Sequence, residues 1–110
     1  MNLKTANKHC KRLSCQYGIV NVPEVIPLKY SRMGNSVILG YYNNHENTVE
    51  INKYALVFYT TKEIIDIVRH ELIHAKRYQD FGHGGRGKHF KLLCELLGIN
   101  REIARAKKVN

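Results

Sequence analysis

The chain has 110 residues, 44% of them hydrophobic and 25% charged, which is the balance of a globular protein with room for one compact domain. No apolar run approaches the roughly 20 residues of a membrane span. The polar, basic start "MNLKTANKHCKRLSCQYG" lacks the apolar segment of a signal peptide. We therefore expect a single domain over residues 1–110, in the cytoplasm and without membrane contact.

Basic residues dominate the charge. Lys and Arg number 18 against nine Asp and Glu, a formal net charge of +9. For one small domain this excess favours a polyanionic partner, above all nucleic acid. A general contribution to solubility is the alternative. The basic residues cluster at the start of the chain, around residues 69–91, and at the end.

The three cysteines are Cys10, Cys15 and Cys94, and no CxxC pair occurs. An odd number without paired spacing argues against a disulfide framework and excludes a separate zinc ribbon. Because Cys10 and Cys94 have apolar neighbours in the sequence, we interpret both as small core residues.

The first predicted element is a helix over residues 1–18. Its apolar residues recur at alternating spacings of three and four, which predicts one buried face: Leu3, Ala6, Cys10, Leu13 and Tyr17. Gly18 suits the end of this helix, because glycine readily adopts the left-handed conformation of a C-terminal cap.

A β-rich region follows the first helix. The segment "NVPEVIPLKY" contains two prolines and is typical of an extended edge segment. The strand "VILGYY" lies between the turns "SRMGNS" and "NNHEN". The segment "TVEINKYALVFY" alternates as a strand in its first half, and its second half can turn toward the next helix. Together these segments predict a small antiparallel sheet of about three strands.

A longer helix begins after this region. Thr60 and Glu63 form the T-x-x-E pattern of a capping box, which predicts a helix start. Phe81 followed by Gly82 predicts its end. The segment "GHGGRG" is a glycine-rich loop. It is followed by a helix from about Lys88 to Leu97 and by a basic tail over residues 100–110 that allows a terminal helical turn.

The predicted fold class is therefore α+β. A small antiparallel β-sheet packs on the long helix, with an N-terminal helix and a C-terminal helix beside it. No helix presents an exposed apolar face that demands a partner, so we expect a monomer.

The long helix carries the pattern HELIH. His70 and His74 are four residues apart, so both imidazoles lie on one face and can bind one metal ion. Glu71 can face the open position of the metal and accept a proton from water. The histidines lie at the edge of the apolar arc that includes Ile67 and Val68. A helix with two surface histidines and a salt-bridging glutamate is the alternative interpretation.

A catalytic zinc site usually has three protein ligands. His83 lies nine residues after His74, about 13 Å further along a continuing helix. His89 follows the loop of residues 82–87, which can reverse the chain over up to about 20 Å. His89 also falls within the buried arc of the last helix. We therefore rank His89 first as third ligand and His83 second.

In its order of elements the sequence resembles the SprT-like zinc metalloproteases, which include the Spartan-type DNA–protein crosslink proteases. The motifs that carry the resemblance are the HELIH helix and "GKHFKLLCELLGI", within a match over roughly residues 22–99. The resemblance implies a zinc-dependent peptidase acting on proteins on or near DNA. His70 and His74 match its first two zinc ligands, and Glu71 matches its catalytic base.

The sequence departs from the family at one site position. The family's third ligand usually comes from H-G-x-x-F, and the matching segment here is "RGKHF", with Arg86 in place of the histidine. Arginine is not a normal zinc ligand because it stays protonated. Within this hypothesis Tyr78 or Arg86 could contact the developing oxyanion, and core packing is the alternative for Tyr78.

Two other functions fit the same residues. One is a catalytically weak or inactive DNA-binding adaptor that keeps the zinc site, which the net charge and Arg86 favour. The other is a regulatory protease that cleaves one specific protein partner. The substrate is a protein or peptide in both protease hypotheses.

Overall fold

The structure, a computed structural model, describes residues 1–28, 32–33, 36–82, 95 and 105–108. These residues form three helices and six strands. In chain order they are α1 (Leu3–Gln16), β1 (Glu24–Pro27), β2 (Arg32–Met33), β3 (Ser36–Ile38), β4 (Gly40–Asn43), β5 (Thr48–Ile51), α2 (Lys53–Phe58), α3 (Thr61–Phe81) and β6 (Arg105–Lys108).

The main sheet has the strand order β1–β5–β4. Strands β4 and β5 pair antiparallel, and β1 pairs with β5 in parallel. The α+β class is confirmed, but the expectation of a purely antiparallel sheet is wrong in this detail. The alternation of apolar residues encodes which face is buried and not the direction of a neighbour. Twenty residues separate the last residue of β1 from the first of β5, which is long enough for a crossover.

A second small sheet has the order β2–β3–β6, with antiparallel pairs throughout. Strand β6 lies within the basic tail, for which the sequence allowed a helical turn; that expectation is wrong for Arg105–Lys108. Pairing with β3 is a long-range contact, which local sequence does not encode. The C-terminal helix expected over residues 88–97 lies outside the described residues, apart from Glu95, which is helical and exposed.

Helix α1 forms where the sequence predicts it. The side chain of Asn2 accepts a hydrogen bond from the backbone N–H of Thr5 at 2.8 Å and caps the start. Gly18, with φ of +70°, follows the end. The side-chain amide of Asn7 ties the helix to β1, because it accepts from the N–H of Val25 at 2.8 Å and donates to its carbonyl at 3.1 Å.

The core lies between the main sheet and the helices α1 and α3. Buried residues from all three contribute to it: Ala6, Cys10, Leu13, Val25, Val49, Ile51, Ile64, Ile67, Val68, Leu72 and Ala75. Burying one such larger aliphatic side chain contributes about 1.5–3 kcal/mol. Among the described residues, no helix combines the length and the apolar composition that crossing a membrane requires.

Helix α2 is a short element within a segment that the sequence suggested was strand-like. Asn52 starts it, because its side-chain carbonyl accepts from the N–H of Tyr54 at 2.8 Å. Ala55 and Leu56 are buried, whereas Tyr54, Val57 and Phe58 are 71%, 72% and 74% exposed. The expectation that no helix presents an exposed apolar face is therefore wrong, since the missed helix carries one.

Candidate metal centre

Helix α3 carries the motif, and both of its ends follow from local sequence. At the start, Thr60 Oγ1 accepts from the N–H of Glu63 at 3.2 Å, and Glu63 Oε1 accepts from the N–H of Thr60 at 3.0 Å. This reciprocal pair confirms the predicted capping box. At the end, Gly82 adopts a left-handed conformation with φ of +78°. Between the caps, 21 residues hold the motif side chains at fixed helical angles.

His70 and His74 lie together on this helix. His70 is fully buried and His74 is half-buried, and their ring centres are 5.2 Å apart. Two imidazoles bound to one tetrahedral zinc ion through nitrogens at about 2.0–2.1 Å bring their ring centres to roughly 5 Å. The donor type and the separation therefore both fit a shared zinc ion.

Glu71 lies beside the histidines and points into the protein. Its side chain is only 3% exposed, although carboxyl groups are rarely buried to this degree. The carboxyl group lies against strand β4, where Glu71 Oε2 is 3.2 Å from the position that a Cβ atom on Gly40 would occupy. Taking a carboxylate out of water is costly, so a buried glutamate between two histidines is typical of a functional site.

Gly40 is a site residue that sequence reasoning did not single out. An added Cβ atom there would lie 2.6 Å from Ile67 Cγ2 and 3.3 Å from Glu71 Cγ. The backbone of β4 therefore approaches α3 more closely than any side chain allows. The available signal was a glycine inside the strand "VILGYY", because an isolated glycine in a strand often marks a close approach.

The third metal ligand is not among the described residues. His83 and His89 both lie outside them, as does Arg86. Within residues 1–28, 38–82 and 95, no group of three or more His, Cys, Asp or Glu side chains is arranged to hold a metal ion. The choice between His83 and His89 therefore stays a prediction.

Tyr78, one turn after His74, is half-buried against the sheet. Its ring centre is 6.4 Å from that of Tyr42 on β4, at an interplanar angle of 58°. The Tyr42 hydroxyl donates to Asn47 Oδ1 at 2.7 Å, and burial raises the pKa of Tyr42. The aromatic pair packs α3 onto β4, which is the core role considered for Tyr78. A contact with substrate stays a prediction.

The basic residues on α3 differ in how they meet solvent. Arg77 is only 5% exposed, so its charge is not presented on the surface. Lys76 pairs with Asp80 at 3.1 Å. The sequence grouped both residues with a basic rim around the site. In the described part of the chain, exposed and closely spaced basic residues occur instead on α1, at Lys4, Lys8, Lys11 and Arg12.

Comparisons with known proteins agree with this arrangement. No curated protein sequence matches the chain significantly. Among solved structures, the crystal structure of the metallopeptidase zymogen of jannalysin from Methanocaldococcus jannaschii is similar in fold. The TM-score is 0.53 at 18% sequence identity, and the likeness covers 88% of this chain and 89% of that chain.

The sequence itself matches the SprT-like family over residues 3–108, which is nearly its whole length. This range includes α1, both sheets and the helix with His70, Glu71 and His74. The resemblance inferred from the HELIH helix is therefore confirmed, and the chain belongs to the SprT-like family.

Proposed function

We propose that this chain is a zinc-dependent endopeptidase that cleaves proteins on or near DNA. The observation that carries the proposal is the buried trio of His70, Glu71 and His74 on one turn of α3. The two rings have the separation of shared zinc ligands, and the carboxyl group lies between them and β4. Membership of the SprT-like family and a fold shared with a metallopeptidase zymogen support it.

In this proposal His70 and His74 hold the zinc ion, together with His89 or, in its place, His83. A bound zinc ion would supply Lewis acidity, which lowers the pKa of water to about 7 and polarises a peptide carbonyl. Glu71 accepts the proton of the attacking water and returns it to the leaving amine, so that one peptide bond and one water give a carboxyl group and an amine. Its burial keeps the carboxyl group aimed at the reaction.

Strand β4 offers a place for the substrate. Within the described residues β4 is an edge strand, paired with β5 on one side. An extended peptide can pair with such an edge through main-chain hydrogen bonds. Because Gly40 begins β4 beside Glu71, a peptide paired there would pass close to the base.

The decisive test replaces Glu71 by Gln, which keeps the shape of the side chain and removes its basicity. We expect Glu71→Gln to retain about one zinc per chain and to lose cleavage of a denatured protein substrate. Glu63→Gln is the matched control on the same helix, because Gln also completes a capping box. Retained cleavage in Glu71→Gln would reject the proposal.

The third ligand is assigned by metal content. We expect native mass spectrometry to find about one zinc in the wild type, and to find it lost in His89→Ala and kept in His83→Ala. The opposite pattern would assign His83. Retention in both variants would show that neither histidine is required.

The adaptor function is the second candidate, since Arg86 stands where the family usually has a histidine and the net charge is +9. It predicts salt-sensitive DNA binding without cleavage of any protein. Self-cleavage stimulated by single-stranded DNA would count against it. Cleavage confined to one protein partner would instead identify a regulatory protease.

A further inference from the structure

We infer that helices α1 and α2 together form a binding surface for single-stranded nucleic acid. The surface, called here the α1–α2 surface, consists of a basic face on α1 and an aromatic pair on α2: Lys4, Lys8, Lys11, Arg12, Tyr54 and Phe58. It deepens the DNA association of the proposed function, and it does not depend on cleavage.

The aromatic pair is the first observation. Tyr54 and Phe58 are four residues apart on α2, and their rings stack with centres 6.5 Å apart at an angle of 11°. Both are more than two-thirds exposed, as is Val57 beside them. Exposed aromatic rings of this kind provide platforms on which successive bases stack.

The charge around these rings favours an anionic ligand. Residues 51–62 contain no Asp or Glu, and Lys53 and Lys62 are both exposed. The size of the patch also matters. Its three large apolar side chains offer roughly 400 Å², taking about 200 Å² for a whole aromatic side chain. A stable protein partner needs about twice this area on each side, whereas stacked bases need less.

The basic face of α1 is an independent observation. Lys4, Lys8 and Lys11 follow the i, i+4, i+7 spacing of one helix face, and all three are exposed. Residues 1–23 contain no Asp or Glu, so no carboxylate along α1 offsets these charges. A row of this kind suits the phosphate backbone, which supplies most of the affinity in sequence-independent binding.

The two helices adjoin each other. The backbone amine of Met1, immediately before α1, donates a hydrogen bond to the carbonyl of Leu56 on α2. Lys4 is therefore within one helical turn of a residue that contacts α2. A strand with bases on α2 can continue with its phosphates along α1, which combines stacking with charge as single-strand binding proteins do.

The test measures binding by fluorescence anisotropy, with a labelled 16-nucleotide oligothymidylate and a duplex of the same length. The full chain carries Glu71→Gln throughout, so the result does not depend on proteolysis. The aromatic variant is Tyr54→Leu/Phe58→Leu, which keeps the apolar volume and removes both rings. Phe81→Leu is its matched control, because Phe81 is an exposed aromatic residue on another helix.

We expect the aromatic variant to bind the single strand roughly ten-fold more weakly or worse, since stacking contributes about this factor per base. Phe81→Leu should bind as the parent does, and the duplex should gain nothing from the rings. Lys8→Gln/Lys11→Gln should lower the salt dependence by about 0.7 per contact, while the aromatic variant leaves it unchanged.

Unchanged affinity in the aromatic variant would overturn the inference, as would an equal loss in Phe81→Leu. A dimer in light scattering that the aromatic variant dissociates, with unchanged affinity for DNA, would assign the surface to a second copy. If the wild type cleaves no protein yet these binding results hold, the proposed function fails and the inference stands.

Discussion

Replacing Gly40 by Ala tests whether the close approach of β4 positions Glu71. The new methyl carbon would start 2.6 Å from Ile67 Cγ2, and 3.2 Å and 3.3 Å from two atoms of Glu71. The first distance is far inside the roughly 3.5–4.0 Å of a normal carbon contact. Strand and helix must separate, and overpacking of this kind costs about 1–3 kcal/mol.

The separation should also move the Glu71 carboxyl group. Ile67 is fully buried and cannot turn away without displacing other core residues, so part of the movement falls on Glu71. A displacement near 1 Å at a catalytic group can lower the rate about 100-fold. We therefore expect Gly40→Ala to lower kcat strongly while zinc content stays near one per chain.

The assay combines urea unfolding with peptidase kinetics on four proteins: wild type, Gly40→Ala, Ile67→Ala and the double variant. Ile67→Ala removes the clashing methyl group and alone should cost about 2–5 kcal/mol. In the double variant the methyl group at position 40 fills part of that space. The two losses should then fall short of additivity by about 1 kcal/mol or more.

Gly18→Ala is the control for this experiment. Gly18 also has φ of +70°, so alanine there strains the backbone by about 1–2 kcal/mol. Its added Cβ would meet only Lys76 Nζ, at 3.7 Å. Loss of stability without loss of kcat is expected. Full activity in Gly40→Ala, or additive losses in the double variant, would refute the reasoning.

The remaining predictions concern stability and reactivity. Thr60→Ala removes half of the capping box and should cost about 1 kcal/mol in urea unfolding, whereas Thr60→Ser should cost less. Asn52→Ala removes the cap of α2 and should cost about 1–3 kcal/mol, because the carbonyl of Ile38 also loses its donor. Burial raises the pKa of the Cys10 thiol from 9.0 to about 11. Below pH 9 the thiol is neutral in both states. As the pH rises from about 9 to 11 the unfolded chain ionises first, so the wild type should lose more stability over this range than Cys10→Ala. Peptide mapping after alkylation at pH 8 should show Cys15, which is exposed, modified well before Cys10.

The helix ends were predictable because their signals are local. The capping box of Thr60 and Glu63, the left-handed Gly82 and the apolar face of α1 each involve residues within one or two turns. The same holds for His70, Glu71 and His74, since a helix fixes their relative directions once it forms. Local patterns therefore gave both the type of site and its first three residues.

The features that were missed depend on distant contacts. Helix α2 contains β-branched and aromatic residues, so its composition favours a strand; Asn52 caps it while also donating to the carbonyl of Ile38 at 3.0 Å. The parallel pairing of β1 with β5 joins segments that a hairpin separates. The role of Gly40 arises only when β4 packs on α3, and no pattern within its own strand reports the partner.

Asn52 has one more consequence, which concerns heat. Its side chain holds Ile38 and its backbone N–H donates to Leu39 at 2.9 Å, at the joint where the chain leaves β3 and enters β4. Gly40, which lies against Glu71, is the next residue along the chain. Loosening of the short helix α2 on warming would thus reach the base by a path of a few residues. The catalytic geometry should soften at a lower temperature than the core melts, so activity would fade before the fold is lost.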